Sequence, residues 1–173
     1  MYKRQVNGDA MKTTWISDIL EGKHDGQKVE LKGWIKRSRG SNKIRFVVLR
    51  DSTGSIQCVA KKDAVGEECF ENVKSALIES SLIIHGLANP DERADGGYEI
   101  IVQDVEIVGP VNPDTPFPIT ESAMVAADGG ETEFLLDNRH LYLRTTRMTT
   151  MLKLRSSVFG AIHSYFRDLD FLE

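Results

Sequence analysis

"VELKGWIKRSRGSNKIRFVVLRDSTGSIQCVAK", residues 29–61, holds three apolar alternations separated by two turn signatures. In the first, residues 29–37, Val29, Leu31 and Ile35 share one face, the period-two spacing of a half-buried strand. "SRGSNK" then reads as a turn. Residues 44–50 alternate again, with Ile44, Phe46 and Val48 in phase. After "DSTG", residues 55–61 form a third run with Ile56, Cys58 and Ala60 in phase. Gly33, in the middle of the first run, is expected where the strand bends sharply.

Downstream the period changes. Val65, Cys69, Val73, Ala76 and Leu77 recur at intervals of three and four, which predicts a helix ending near Glu79. Two more strands follow, 81–88 and 98–108, joined by the polar loop "NPDERADGG". Upstream, Trp15 to Leu20 reads as a short helix. This order predicts an all-β OB-fold: a five-stranded, partly open barrel with one helix between strands 3 and 4. Such a barrel binds on the face of strands 2 and 3 and through the loops joining strands 1–2 and 4–5.

The charge distribution supports that face. The 173 residues carry a net charge of −4. Yet Val29 to Lys62 holds nine Lys or Arg (32, 36, 37, 39, 43, 45, 50, 61, 62) against Glu30 and Asp51. A polyanion responds to the local field, not to the mean. Either the basic stretch is a solvated strand surface or it meets nucleic acid, and its coincidence with the binding face of an OB barrel favours the second.

Other classes are excluded by composition. With 40% hydrophobic and 28% charged residues, no run approaches the roughly 20 apolar residues of a membrane span. The first 30 residues lack the apolar stretch of a secretory signal, so the reading is cytoplasmic with no membrane partner. Cys58 and Cys69 have no C-x-x-C partner, and the four histidines show no metal-ligand spacing. No metal, cofactor or catalytic residue is assigned.

The texture shifts after Gly109, with four of the five prolines at positions 110, 113, 116 and 118. A Pro-rich hinge over 109–130 is therefore expected. From Thr149, Met151, Leu154, Val158, Ile162, Tyr165 and Phe166 form a helical stripe, read as packing. Residues 131–173 are too few to bury that stripe, so the chain is expected to stop inside a second domain. The opening "MYKRQ" looks like a translated sequencing adaptor. Residues 1–10 are accordingly read as an assembly artefact and Met11 as the start, leaving 11–108 as the barrel domain.

The stretch at 29–59, "GGYEIIVQDVEIVGP" and "LLDNRHLYLRTTRMTTMLKLRSSVFGAIHSYFRDLDFLE" together resemble the class II aminoacyl-tRNA synthetases of the aspartyl/asparaginyl/lysyl group. Within it the chain is most similar to the asparaginyl branch. His140 and Tyr142 stand where aspartyl members tend to carry Phe and Asp. The resemblance implies a tRNA anticodon-binding barrel, a hinge, and at 131–173 the incomplete start of an α+β catalytic domain. It implies a full-length homodimeric ligase that joins asparagine to tRNA using ATP and Mg²⁺, whereas this piece lacks the catalytic motifs, binds no cofactor and is inactive alone. The alternatives are an aspartate–tRNA ligase, discriminating or not, and a non-enzymatic OB-fold RNA-binding module.

The resemblance also assigns anticodon contacts. Phe46 falls where the family stacks an aromatic ring on the central uridine, and Gln57 where it reads that base's edge. Single-stranded RNA bases are splayed out, stacked on aromatics and read in this way, and an amide supplies both donor and acceptor. Without the resemblance, Phe46 reads as a core ring and Gln57 as a solvated strand residue. Arg37 and Arg39 fall at anticodon-loop contacts, where guanidinium groups suit phosphates and base planes. Glu99 falls where the family reads the first anticodon base. Lys43 and Arg45 are read as general phosphate attraction or plain solubility, and Trp34 as barrel packing. Arg139, His140, Tyr142 and Arg144 are read as docking the hinge against tRNA or the catalytic domain.

Overall fold

The computed structural model describes residues 14–118 and 132–172, so the expectation for residues 1–10 and most of the hinge lie outside them. The chain divides into two compact units after Phe117. In the first, α1 (Ile16–Leu20) precedes β1 (Lys28–Gly40), β2 (Ile44–Arg50) and β3 (Ser55–Lys61). Then come α2 (Lys62–Val65), α3 (Glu67–Ser75), β4 (Ser81–Pro90) and β5 (Tyr98–Gly109). The second contains α4 (Thr132–Asp137), α5 (Arg139–Tyr142) and α6 (Thr146–Asp168).

The five strands close in the order β1-β2-β3-β5-β4. Strand β1 is long enough to serve two neighbours. Its first half pairs with β4, from Lys28↔Leu87 to Trp34↔Ser81, and its second half with β2, from Trp34↔Arg50 to Gly40↔Arg45. The change of partner happens around Gly33, where a Cβ would run into the Arg50 carbonyl oxygen and sit 3.0 Å from Leu49 Cγ. Only glycine lets the two strands approach this closely, and a register shift between Ile35 and Arg37 completes the bend. A parallel pairing of β3 with β5 closes the barrel.

Inside lie Val29, Leu31 and Ile35 from β1, with Ile56, Cys58 and Ala60 from β3, in the phases read from sequence. The phase of β2 is the reverse of that reading. Val47 and Leu49 are buried, while Ile44, Phe46 and Val48 face outward and are half-buried. Each phase of IRFVVLR is apolar apart from one arginine, Arg50 in one and Arg45 in the other, so alternation alone could not choose. Ile16 and Ile19 of α1 plug one part of the core, and Phe70 and Val73 of α3 are buried.

The predicted single helix is two. Gly66, at φ +84°, separates α2 from α3. The helix ends at Ser75, short of the predicted Glu79, because Ala76 turns extended and Glu79 takes a positive φ of 72°. That conformation lets Glu79 N–H donate to the Ile35 carbonyl at 2.8 Å and its carboxylate accept from Arg50 at 2.9 Å. Trp34, read as barrel packing, is instead 46% exposed on the outside. At the barrel exit, Val111 N–H donates to the buried Ser80 hydroxyl at 3.0 Å.

In the second unit, the Thr145 hydroxyl caps the 23-residue α6 by accepting from Met148 N–H at 3.3 Å. The stripe read as packing is exposed: Met151, Leu154, Val158, Ile162, Tyr165 and Phe166 are all open to solvent.

Candidate nucleic-acid interface

The outer phase of β1, β2, β3 and β5 sets the candidate residues in two adjacent rungs. Arg37 lies opposite Val48, Val48 opposite Gln57, and Gln57 opposite Glu99. Two residues along, Arg39 lies opposite Phe46, Phe46 opposite Val59, and Val59 opposite Ile101. Because side chains alternate across a strand, both rungs face outward, one beside the other. All five residues singled out from the sequence, Arg37, Arg39, Phe46, Gln57 and Glu99, therefore share one surface.

Each rung carries a distinct contact. The Arg39 guanidinium lies 5.6 Å from the Phe46 ring centroid, within cation–π range and worth about 0.5–1 kcal/mol at an exposed site. It orients a ring that stays half-exposed. In the neighbouring rung Gln57 Nε2 donates to Glu99 Oε2 at 3.4 Å. The surface thus offers a flat aromatic, an amide, a carboxylate and two guanidinium groups within two strand steps: stacking, edge reading and charge.

A depression of about 100 Å³ opens between these rungs and the β4–β5 loop, lined by Arg37, Arg39, Val48, Gln57, Arg93 and Asp95 among others. A wider groove of about 600 Å³ lies elsewhere, beside Asn72, Asp104, Glu106 and Pro110. Its two carboxylates make it the wrong place for a polyanion, so the smaller depression is the candidate site.

Much of the basic stretch is engaged inside the barrel unit. Lys32 pairs with Glu30 at 3.0 Å, Arg50 with Glu79 at 2.9 Å and Lys62 with Glu67 at 2.7 Å. Arg45, read as general phosphate attraction, lies in the inward phase of β2. It donates to Ser38 Oγ at 3.1 Å and to the Lys74 carbonyl at 3.5 Å, tying the tip of β1 to the C-terminal end of α3. Lys43 is exposed in the β1–β2 turn.

Two further residues belong to this surface. Val48, in phase with Ile44 and Phe46, separates Arg37 from Gln57. Arg93 was passed over as loop, although its two-residue spacing from Asp91 is the signal for a forked pair, seen at 2.7 Å. Neither cysteine suits nucleophilic chemistry: burial pushes the Cys58 thiol up to about 12 and raises that of Cys69 as well. Among the described residues no group of three His, Cys, Asp or Glu side chains is placed to hold a metal ion, and no helix is long and apolar enough to cross a membrane.

A closed β1-β2-β3-β5-β4 barrel with aromatic, amide and arginine side chains on its outer face defines an OB-fold nucleic-acid-binding domain. Residues 29–108 match the family model for the tRNA anticodon type of that domain. Over most of its length the chain is similar to asparagine–tRNA ligases. It is 40% identical over 151 residues to that of Thermoplasma acidophilum, covering 87% of this chain and 33% of the relative. With that of Symbiobacterium thermophilum it shares 39% over 158 residues, covering 91% and 34%. The crystal structure of asparaginyl-tRNA synthetase from Pyrococcus horikoshii, complexed with asparaginyl-adenylate, superposes with a TM-score of 0.77 at 35% identity, over 91% of this chain and 34% of that one. A putative aspartyl-tRNA synthetase from Leishmania major shares the fold, with a TM-score of 0.82 at 20% identity. The chain spans about a third of the length of the curated relatives it matches.

Proposed function

We propose that this chain is the anticodon-reading part of an asparagine–tRNA ligase. The observation that carries this is the pair of outward rungs, which sets Phe46 and Arg39 beside Gln57 and Glu99 on the face an OB-fold uses for single strands. Phe46 stacks on the central uridine, Gln57 reads its edge, Glu99 accepts from the first anticodon base, and Arg37 and Arg39 hold the backbone. Residues 11–108 form the reading domain and 109–130 the hinge, while 131–173 begin the catalytic domain.

Activation of asparagine with ATP and Mg²⁺ belongs to the part of such a ligase that this chain does not span, in a cytoplasmic homodimer. No step of that chemistry runs through the residues described. Binding of an anticodon stem-loop tests the reading. The chain should bind a loop with a central uridine more tightly than loops with any other central base. Equal affinity for all four would overturn it.

A further inference from the structure

The loop joining β4 to β5 offers something the strand rungs lack. Residues 91–97 close on themselves: Asp91 N–H donates to Gly97 at 3.0 Å, Ala94 N–H to Asp91 at 2.9 Å, and Gly97 N–H to Ala94 at 2.9 Å. Gly96, at φ +85°, is pressed against α1, where a Cβ would meet Leu20 Cδ2 at 2.8 Å. On this fixed loop Arg93 forms a fork with Asp91, Nε to Oδ1 at 3.0 Å and Nη2 to Oδ2 at 2.7 Å, while its own backbone N–H donates to Oδ1 at 2.9 Å. The Arg93 side chain is nevertheless 89% exposed.

Two uses are open to a cation here. A phosphate clamp needs an uncompensated charge and a free edge of N–H donors. Asp91 has taken the Nε–Nη2 edge and offset the charge, which leaves only the Nη1–Nη2 end to meet a phosphate. Stacking needs a flat group whose plane is fixed and whose faces are open, and the in-plane fork leaves those faces available. Unstacked RNA bases stack on guanidinium planes as well as on aromatic rings. Glu99 sits where the loop leaves the sheet, paired with Asn89, and Arg93 lines the same depression as Gln57.

We propose that Arg93 is a stacking platform for the anticodon-loop base whose edge Glu99 takes, with Asp91 as the residue that orients it. Phe46 and Gln57 then hold one base by face and edge, and Arg93 and Glu99 hold its neighbour in the same way. This rests on the anticodon-reading function above and adds a second stacking site to it.

Arg93→Lys keeps the charge and loses the plane. The full chain and this variant are titrated with an anticodon stem-loop at two salt concentrations, and with stem-loops carrying an abasic residue at each anticodon position in turn. The expected result is a loss of roughly five- to 150-fold on the intact loop, the usual worth of one stacked base. The loss should be the same at both salt concentrations and should vanish only when the first anticodon base is abasic. Undiminished binding by Arg93→Lys, with the unsubstituted chain binding normally, overturns this inference alone. So does a loss that persists at every abasic position. Failure of the unsubstituted chain to bind any stem-loop overturns the functional reading along with it.

Discussion

Gln57 and Glu99 stand opposite one another in the parallel register of β3 and β5, with Nε2 3.4 Å from Oε2. The distance is beyond the usual range for a strong N–H···O bond, so the pair orients without locking. A carboxylate accepts only from the amide nitrogen, which turns the Gln57 oxygen away from Glu99 and leaves it for the donor edge of a uracil. Glu99→Gln removes the acceptor charge. Selectivity for the first anticodon base should fall by about 1.5–3 kcal/mol, the range for a hydrogen bond to a charged group. Stem-loops differing only at that base measure it, and unchanged selectivity would remove Glu99 from the site.

Phe46 and Phe70 should separate binding from folding. Phe46 is half-buried on the outer face and Phe70 is fully buried beneath α3. Phe46→Ala is expected to weaken stem-loop binding by about 1–3 kcal/mol, one base–aromatic stack. Phe70→Ala should instead cost roughly 3–5 kcal/mol of stability. Thermal melts and titrations of both variants check the contrast, which collapses if Phe46→Ala destabilises the fold as much as Phe70→Ala does.

Arg37 and Arg39 are both exposed on the rung face. If each meets a phosphate, removing one should lower the slope of log affinity against log salt by about 0.7, the increment per neutralised phosphate of a single strand. Base preference should stay as it was. Titrations of Arg37→Ala and Arg39→Ala across a salt series measure this, and an unaltered slope would mean neither guanidinium touches the backbone.

The Asp91 carboxyl is held down at about 2 from an ordinary 3.8, first by the Arg93 side-chain hydrogen bonds and then by the Arg93 backbone N–H. A carboxylate depressed on folding stabilises the folded loop above its unfolded value and loses that contribution as pH falls through the folded one. The Asp91–Arg93 fork should therefore persist at pH 4 and be lost as pH falls towards 2. A carboxyl-carbon NMR titration of Asp91 should show that low midpoint; an ordinary midpoint would mean the fork does not form in solution.

The barrel was legible because β1 and β3 each show one apolar phase, β4 and β5 are turn-bounded apolar runs, and the helix interrupts them at the right place. Strand β2 resisted because apolar residues occupy both of its phases: Val47 and Leu49 serve the core, and Phe46 and Val48 the outer surface. Spacing could not tell an inward ring from an outward one, and only register against Arg39 and Val59 does so. Arg45 misled for a related reason, since a charge in a strand reads as exposed until its phase is known. The Asp91–Arg93 spacing signals a pair, but not its place beside Gln57, because the loop's closure depends on backbone bonds and glycine conformations that no periodicity reports. The apolar stripe of α6 was legible from its helical spacing, and its exposure accords with residues 131–173 being too few to bury it.

The central claim is that the outer rungs read RNA, and Gln57→Ala tests it most directly. Stem-loop affinity is measured for this variant and the unsubstituted chain with each of the four bases at the central anticodon position. The unsubstituted chain should prefer uridine. Gln57→Ala should lose that preference while keeping most of its affinity, because a lost edge contact costs discrimination more than attraction, and the barrel should melt as before. A folded Gln57→Ala protein that still prefers uridine by the same factor would contradict the account.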